Sequence, residues 1–145
     1  MSSGKRFPWG GYGRRVLVAD EDEWVRRTVA AVLEEAGYAV HLASDGCQAV
    51  AEMTKRRFDV AMADYSLPYL DGTRVLVVCR ELWPDTPVIL LSAELPDLPE
   101  SIERQGAFAL VSKPFETVRL LQVVHDACTS AWVQAAIRRA MSDAS

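Results

Sequence analysis

Three carboxylates, one hydroxyl and one ammonium recur at the same kind of place in this sequence. Asp20 and Glu21 directly follow the apolar run Val16-Leu17-Val18-Ala19. Asp64 ends the run from Phe58 to Ala63, Ser92 ends the run from Pro87 to Leu91, and Lys113-Pro114 follows the run from Ala107 to Val111. If those runs are strands of one sheet, the five groups lie along one edge of it. Carboxylates gathered in one crevice repel and raise one another's pKa unless a cation sits among them. Hard oxygen donors suit Mg²⁺, which keeps several waters and needs few protein ligands. Asp20, Glu21 and Asp64 are therefore candidate Mg²⁺ ligands. Mg²⁺ beside a lysine is also the equipment of phosphoryl transfer, where positioning and charge neutralisation do most of the work. Asp64, alone at its run's end, would be the nucleophile. Ser92 and Lys113 would meet the phosphoryl oxygens. Taken singly, each residue has a plainer reading: acids at strand-to-helix junctions are often N-caps, and Ser92 and Lys113 are ordinary surface types. The shared edge is what lifts the set above those readings.

The elements that must hold these groups are legible in the periodicity. Strands are expected at Val16–Ala19, Tyr38–Ala43, Phe58–Ala63, Pro87–Leu91 and Ala107–Val111. Between the first two, Val25, Val29, Val32, Leu33 and Ala36 share one helix face, and Gly37 ends it. Ser44 or Asp45 can cap a second helix running to Lys55. Leu67-Pro68 and Asp71-Gly72 punctuate a loop before a third helix, which Pro84 stops. Two prolines in the first half of 96–105 delay the fourth helix to near Pro99. A fifth begins at Glu116 and can run to Met141. Strands alternating with helices mean stacked βαβ units and a parallel sheet. The strands are apolar almost throughout, as a sheet buried on both faces requires. Right-handed crossovers then give an α/β, doubly wound, five-stranded fold, whose ligands bind outside the carboxyl ends of the strands.

Composition narrows the function. The chain has 145 residues, 50% hydrophobic and 25% charged, a globular rather than disordered balance, with room for one domain. A net charge of −4 argues against a nucleic-acid binder, which needs clustered basic residues. No apolar run reaches the length of a membrane span. Cys47, Cys79 and Cys128 are widely spaced and odd in number, which reads as reduced, buried thiols of a cytoplasmic protein rather than a disulfide frame or zinc site. His41 and His125 read as structural. Residues 1–14 read as a flexible N-terminal tail, 15–129 as the domain, and 130–145 as a helical extension. That extension carries Trp132, Val133, Ala136, Ile137, Ala140 and Met141 on one stripe, which could prolong the last helix, fold back, or pair with another chain.

The chain resembles the receiver domain of bacterial two-component response regulators, of the chemotaxis and nitrogen-regulator kind. VLVADEDEWVRR is similar to the family's first strand, acid pair and first helix. FDVAMADYSLPYLDG is similar to its phosphoacceptor strand and loop, with Asp64 at the acceptor position. PVILLSA places Ser92 at the Ser/Thr switch position, and GAFALVSKPF places Lys113 at the family's lysine. The resemblance implies a flavodoxin-like (βα)5 fold of strand order 2-1-3-4-5 and a cis Lys113-Pro114 bond. It implies that a histidine kinase or phosphotransfer protein offers a phosphohistidine, which Asp64 attacks. Mg²⁺ would be held by Asp20, Glu21, Asp64 and the backbone carbonyl of Ser66. Ser92 and Lys113 would bind the phosphoryl group, and a face built from the fourth helix, fifth strand and fifth helix would respond, with a homodimer as one use of that face. No steady enzymatic turnover is expected beyond self-phosphorylation and its reversal.

Three departures from the family pattern bear on this reading. Glu21 replaces the usual second aspartate. Leu110 replaces the switch aromatic three residues before the lysine, and a leucine cannot exchange a hydroxyl-bearing ring between exposed and buried positions. Phe108 and Ala109 replace acids before it. Two other readings stand beside the first: a receiver-like module that binds partners without phosphorylation, and a Mg²⁺-dependent phosphatase of the haloacid-dehalogenase type. The latter normally has a second aspartate two residues after its nucleophile, where this chain has Ser66. Glutamate's extra methylene shifts its oxygen in a site where Mg²⁺ demands near-ideal octahedral geometry. Glu21→Asp is accordingly expected to tighten Mg²⁺ binding in a calorimetric titration; equal or weaker binding would mean that the site is adapted to glutamate.

Overall fold

A computed structural model describes residues 10–93 and 106–143. In chain order the elements are β1 (Arg15–Ala19), α1 (Glu23–Glu35), β2 (Ala39–Ala43), α2 (Gly46–Lys55), β3 (Val60–Asp64), α3 (Gly72–Leu82), β4 (Val88–Ser92), β5 (Ala109–Ser112) and α4 (Thr117–Asp143). The helix expected within 96–105 lies outside the described residues. All strand pairs are parallel, and the order is β2-β1-β3-β4-β5. This is the doubly wound, flavodoxin-like arrangement expected from the sequence.

Alternation along each strand divides the core into two layers, because successive side chains point to opposite faces. Val16, Val18, Val60, Met62, Ile89 and Leu91 form one layer with α1 and α4. Leu17, Ala19, Ala61, Ala63, Val88 and Leu90 form the other with α2 and α3. Both faces are therefore dry, which is why these strands read as unbroken apolar runs.

Aspartates start three helices. Asp22 accepts from the amides of Trp24 (2.8 Å) and Val25 (3.4 Å), Asp45 from Gln48 (2.7 Å), and Asp71 from Arg74 (3.0 Å). Each satisfies amides that a helix start leaves without partners. The plain capping reading thus holds for Asp22, two residues after Asp20. Gly37, at φ +98°, ends α1 in a backbone region that side chains rarely adopt.

Residues 10–14, placed with the N-terminal tail by sequence, are tied to this turn. The Gly11 amide donates to Ala36 O (2.7 Å), the Gly13 amide to Gly37 O (2.8 Å), and the Ala39 amide to Arg14 O (2.9 Å). At the other end, α4 is one continuous helix of 27 residues, so 130–143 prolong it rather than fold back. Its first half buries Leu120, Leu121, Val123, Val124, Ala127 and Cys128. Beyond Ser130 it is largely exposed, Trp132 and Met141 most of all among its apolar residues. An ion pair between Arg138 Nη1 and Asp85 Oδ1 (2.5 Å) ties this second half to the segment before β4. Among the described residues, no helix is long and apolar enough to cross a membrane.

The cysteines correct one expectation. Cys79 and Cys128 are buried as expected, but Cys47 is exposed. It lies in the first turn of α2, whose buried side is set by Gly46, Ala49 and Met53. Burial pushes the Cys79 and Cys128 thiols up to about 11, with the nearby Arg14 charge opposing and Asp59 reinforcing the shift at Cys128. Thiolate is the reactive form. Alkylation of the native protein at mildly alkaline pH is therefore expected to add one label, at Cys47, with Cys79 and Cys128 reacting only after denaturation; mass spectrometry of tryptic peptides reads the sites.

Candidate functional site

Sheet register sets the site. Ala19 pairs with Ala63, so Asp20 and Asp64 leave adjacent strands at the same level. Asp64 pairs with Leu91, which puts Ser92 one step further along β4. Ser92 pairs with Ser112, and Lys113 follows. The strand ends stay hydrogen-bonded up to the point of departure: the Asp20 amide donates to Ala43 O (3.1 Å), the Tyr65 amide to Leu91 O (2.8 Å), and the Lys113 amide to Ser92 O (2.9 Å). The Lys113-Pro114 peptide is cis.

The side chains converge on one contact. Lys113 Nζ donates to Asp20 Oδ2 in a short hydrogen bond and lies 3.2 Å from Asp64 Oδ2. Asp20 is almost fully buried, and Lys113 and the Asp64 carboxylate are mostly so. Asp20 uses its other oxygen, Oδ1, to accept from the Asp22 amide (2.9 Å). Asp64 Oδ1 accepts from the Ser66 amide (3.4 Å). Burial alone would lower the Lys113 pKa, but the hydrogen bond and charge of Asp20, joined by Asp64, raise it above the ordinary lysine value. The ammonium therefore stays charged throughout the neutral range.

Two further groups shape the surroundings. Arg26 Nη1 donates to the carbonyls of Asp20 (2.7 Å) and Glu21 (2.8 Å), pinning the segment between β1 and α1. Sequence reasoning missed it. A signal existed, because a cation in the first turn of a helix opposes the macrodipole and needs another reason to be there. Gly72, first residue of α3, backs against the acceptor strand: a Cβ there would stand 2.6 Å from Asp64 O and 2.9 Å from Tyr65 Cα. A side chain would push the start of α3 away from Asp64.

The expected residues are brought together unequally. Asp20, Asp64 and Lys113 meet, and Ser92 is buried in the adjoining strand. Glu21 is exposed and does not complete a three-carboxylate group with Asp20 and Asp64. The cause is the chain path: the backbone leaves the sheet after Asp20 and bends at Glu21 toward the N-cap Asp22. Among the described residues, no three acidic, His or Cys side chains are grouped closely enough to share a metal ion. Mg²⁺ needs only one or two carboxylates beside its waters, so the oxygen donors of Asp20 and Asp64 still fit it. Leu110 is half-buried against the α2–α3 layer, Phe108 is partly exposed, and Trp24 is exposed at the start of α1.

Comparison with known proteins agrees with this geometry. Residues 16–125 match the family model described as response regulator receiver domain. The response regulator MprA of Mycobacterium sp. strain KMS is 33% identical over 113 residues, covering 74% of this chain and 47% of the relative. The sensory/regulatory protein RpfC of Xanthomonas campestris is 31% identical over 121 residues, covering 80% and 17%. The chain thus spans about half the length, or less, of these curated relatives. Among solved structures, the receiver domain of the Francisella response regulator 1452 is 32% identical, with a TM-score of 0.73 over 81% of this chain and 98% of that one. Chemotaxis response regulator CheY4 of Vibrio cholerae is 30% identical, with a TM-score of 0.74 over 79% and 98%.

Removing the ammonium would leave two buried carboxylates facing each other. Lys113→Met is expected to lower the unfolding free energy by about 3 kcal/mol, the lower end for breaking a buried pair because Asp64 keeps some solvent contact. Adding Asp64→Asn should recover part of the loss, which urea denaturation of the single and double variants would measure.

Proposed function

Because this chain belongs to the response regulator receiver family of two-component systems, we propose that Asp64 is its phosphoacceptor and that a histidine kinase or a phosphotransfer protein is the donor. The observation that carries this reading is the Lys113 ammonium held between Asp20 and Asp64. An Asp64 oxygen attacks the phosphorus of a phosphohistidine. The O–P bond forms, the N–P bond breaks, and the imidazole departs as the neutral ring with its other nitrogen protonated. Lys113 turns from the Asp64 carboxylate toward the incoming phosphoryl oxygens, keeping Asp20 as its second partner. Ser92 is the hydroxyl donor to those oxygens. Mg²⁺, held by Asp20, Asp64 and the Ser66 carbonyl, would neutralise the charge that phosphoryl transfer gathers there.

The product is an acyl phosphate. It replaces the single charge of a carboxylate with nearly two on a larger group. The added charge draws Lys113 and Ser92 inward and biases the face formed by β5 and its flanking helices. Leu110 gives that face no aromatic ring to exchange, so Ser92 carries the coupling. We read the chain as a cytoplasmic module that gains and loses one phosphoryl group and signals by protein contact, a homodimer among its options. One observation favours a second reading, a module that binds partners without phosphorylation: Glu21 is exposed and does not complete a three-carboxylate group with Asp20 and Asp64.

Acetyl phosphate with Mg²⁺ separates the two. Intact-mass spectrometry is expected to show one added phosphoryl group on the wild type and none on Asp64→Asn. An unlabelled wild type would favour the second reading, and equal labelling of both would refute Asp64 as acceptor.

A further inference from the structure

At the opposite edge of the sheet, where strands begin, lies a second concavity of about 390 Å³. Arg14 comes from the start of β1, Arg57 and Asp59 from the segment before β3, Asp85 from the segment before β4, and Trp132 and Arg139 from the second half of α4. Cys128 also lines it. The two acids are already engaged: Asp59 accepts from Arg57 (3.1 Å) and from the Arg15 amide (2.8 Å), and Asp85 pairs with Arg138. The guanidiniums of Arg14 and Arg139 make no hydrogen bond or ion pair with the described residues. Trp132 is 64% exposed. Tyr38, buried and with its hydroxyl unpartnered among the described residues, is close enough to Arg14 to feel its charge. A net-acidic chain therefore carries a cationic pocket with an uncovered indole and two arginines to spare.

That combination has a specific chemistry. Guanidiniums grip phosphate or carboxylate oxygens in pairs, and an exposed indole stacks on planar rings. The volume lies within the range of small-ligand sites. We propose that this pocket binds a small organic phosphate bearing a planar ring, of the nucleoside monophosphate class. Arg14 and Arg139 hold the phosphate, and Trp132 stacks on the base. Such a ligand would join the starts of β1, β3 and β4 to the exposed half of α4, far from Asp64, and so act on this helix independently of phosphorylation.

The test is calorimetry on the full 145-residue chain with AMP, adenosine and inorganic phosphate as separate titrants. AMP should bind at one saturable site, with adenosine and inorganic phosphate each at least about tenfold weaker. Arg14→Ala, Arg139→Ala and Trp132→Ala should each weaken AMP by about tenfold or more. Arg139 and Trp132 are exposed, so those variants should keep the wild-type melting temperature and still take one phosphoryl group from acetyl phosphate. Failure of AMP to saturate at millimolar concentration would overturn the proposal. So would binding unchanged in the Arg139 and Trp132 variants, or inorganic phosphate binding as well as AMP.

Discussion

Two carboxylates at the mouth of a dry sheet need a countercharge, and in this protein Lys113 supplies it. Everything at the site follows from delivering that ammonium. β1 and β3 must be in register for Asp20 and Asp64 to sit side by side. β5 must lie two strands away from β3, so that a long, flexible side chain can reach back across Ser92. A residue more or less in any of these strands would exchange inward for outward side chains and dissolve the cluster.

The same constraint explains why the two layers of the core differ. On the α1–α4 side the strands present Val, Ile, Leu and Met, and α4 answers with four large aliphatics. On the α2–α3 side β1 and β3 present alanines at 19, 61 and 63, which lets α2 and α3 come close to the strands that carry the acids. Gly72 is the extreme of this trend, with no space for even one carbon beside the Asp64 carbonyl. Close packing beneath the site holds the carboxylates at fixed depth, which keeps their contact with Lys113 available to only a narrow set of geometries.

Much of this was legible in the sequence because burial on both faces writes itself as uninterrupted apolar runs. Their ends coincide with Asp20, Asp64, Ser92 and Lys113, so the edge and its chemistry could be read together. The resemblance supplied the strand order, which periodicity alone does not contain. Glu21 was grouped with the two aspartates because the apolar run does not say where the backbone turns. That depends on the Ala43 hydrogen bond to Asp20 and on which neighbouring acid caps α1. Arg26 went unnoticed because its partners are backbone carbonyls; its unfavourable place in the first turn of α1 was the one hint in the residue types. Cys47 was assigned to the interior by residue type, whereas α2 buries only the side marked by Gly46, Ala49 and Met53.

The uninterrupted run of α4 has a mechanical side. Its last thirteen or so residues reach about 20 Å past the packed half, at 1.5 Å per residue. A rigid rod magnifies motion at its root: a tilt of about 10° where Leu120 and Val124 meet the sheet would carry the Met141 end, about 25–30 Å along the helix, through roughly 5 Å. The Arg138–Asp85 pair lies partway along this arm and acts as a tether, setting how far the tip can swing before a charged contact must break.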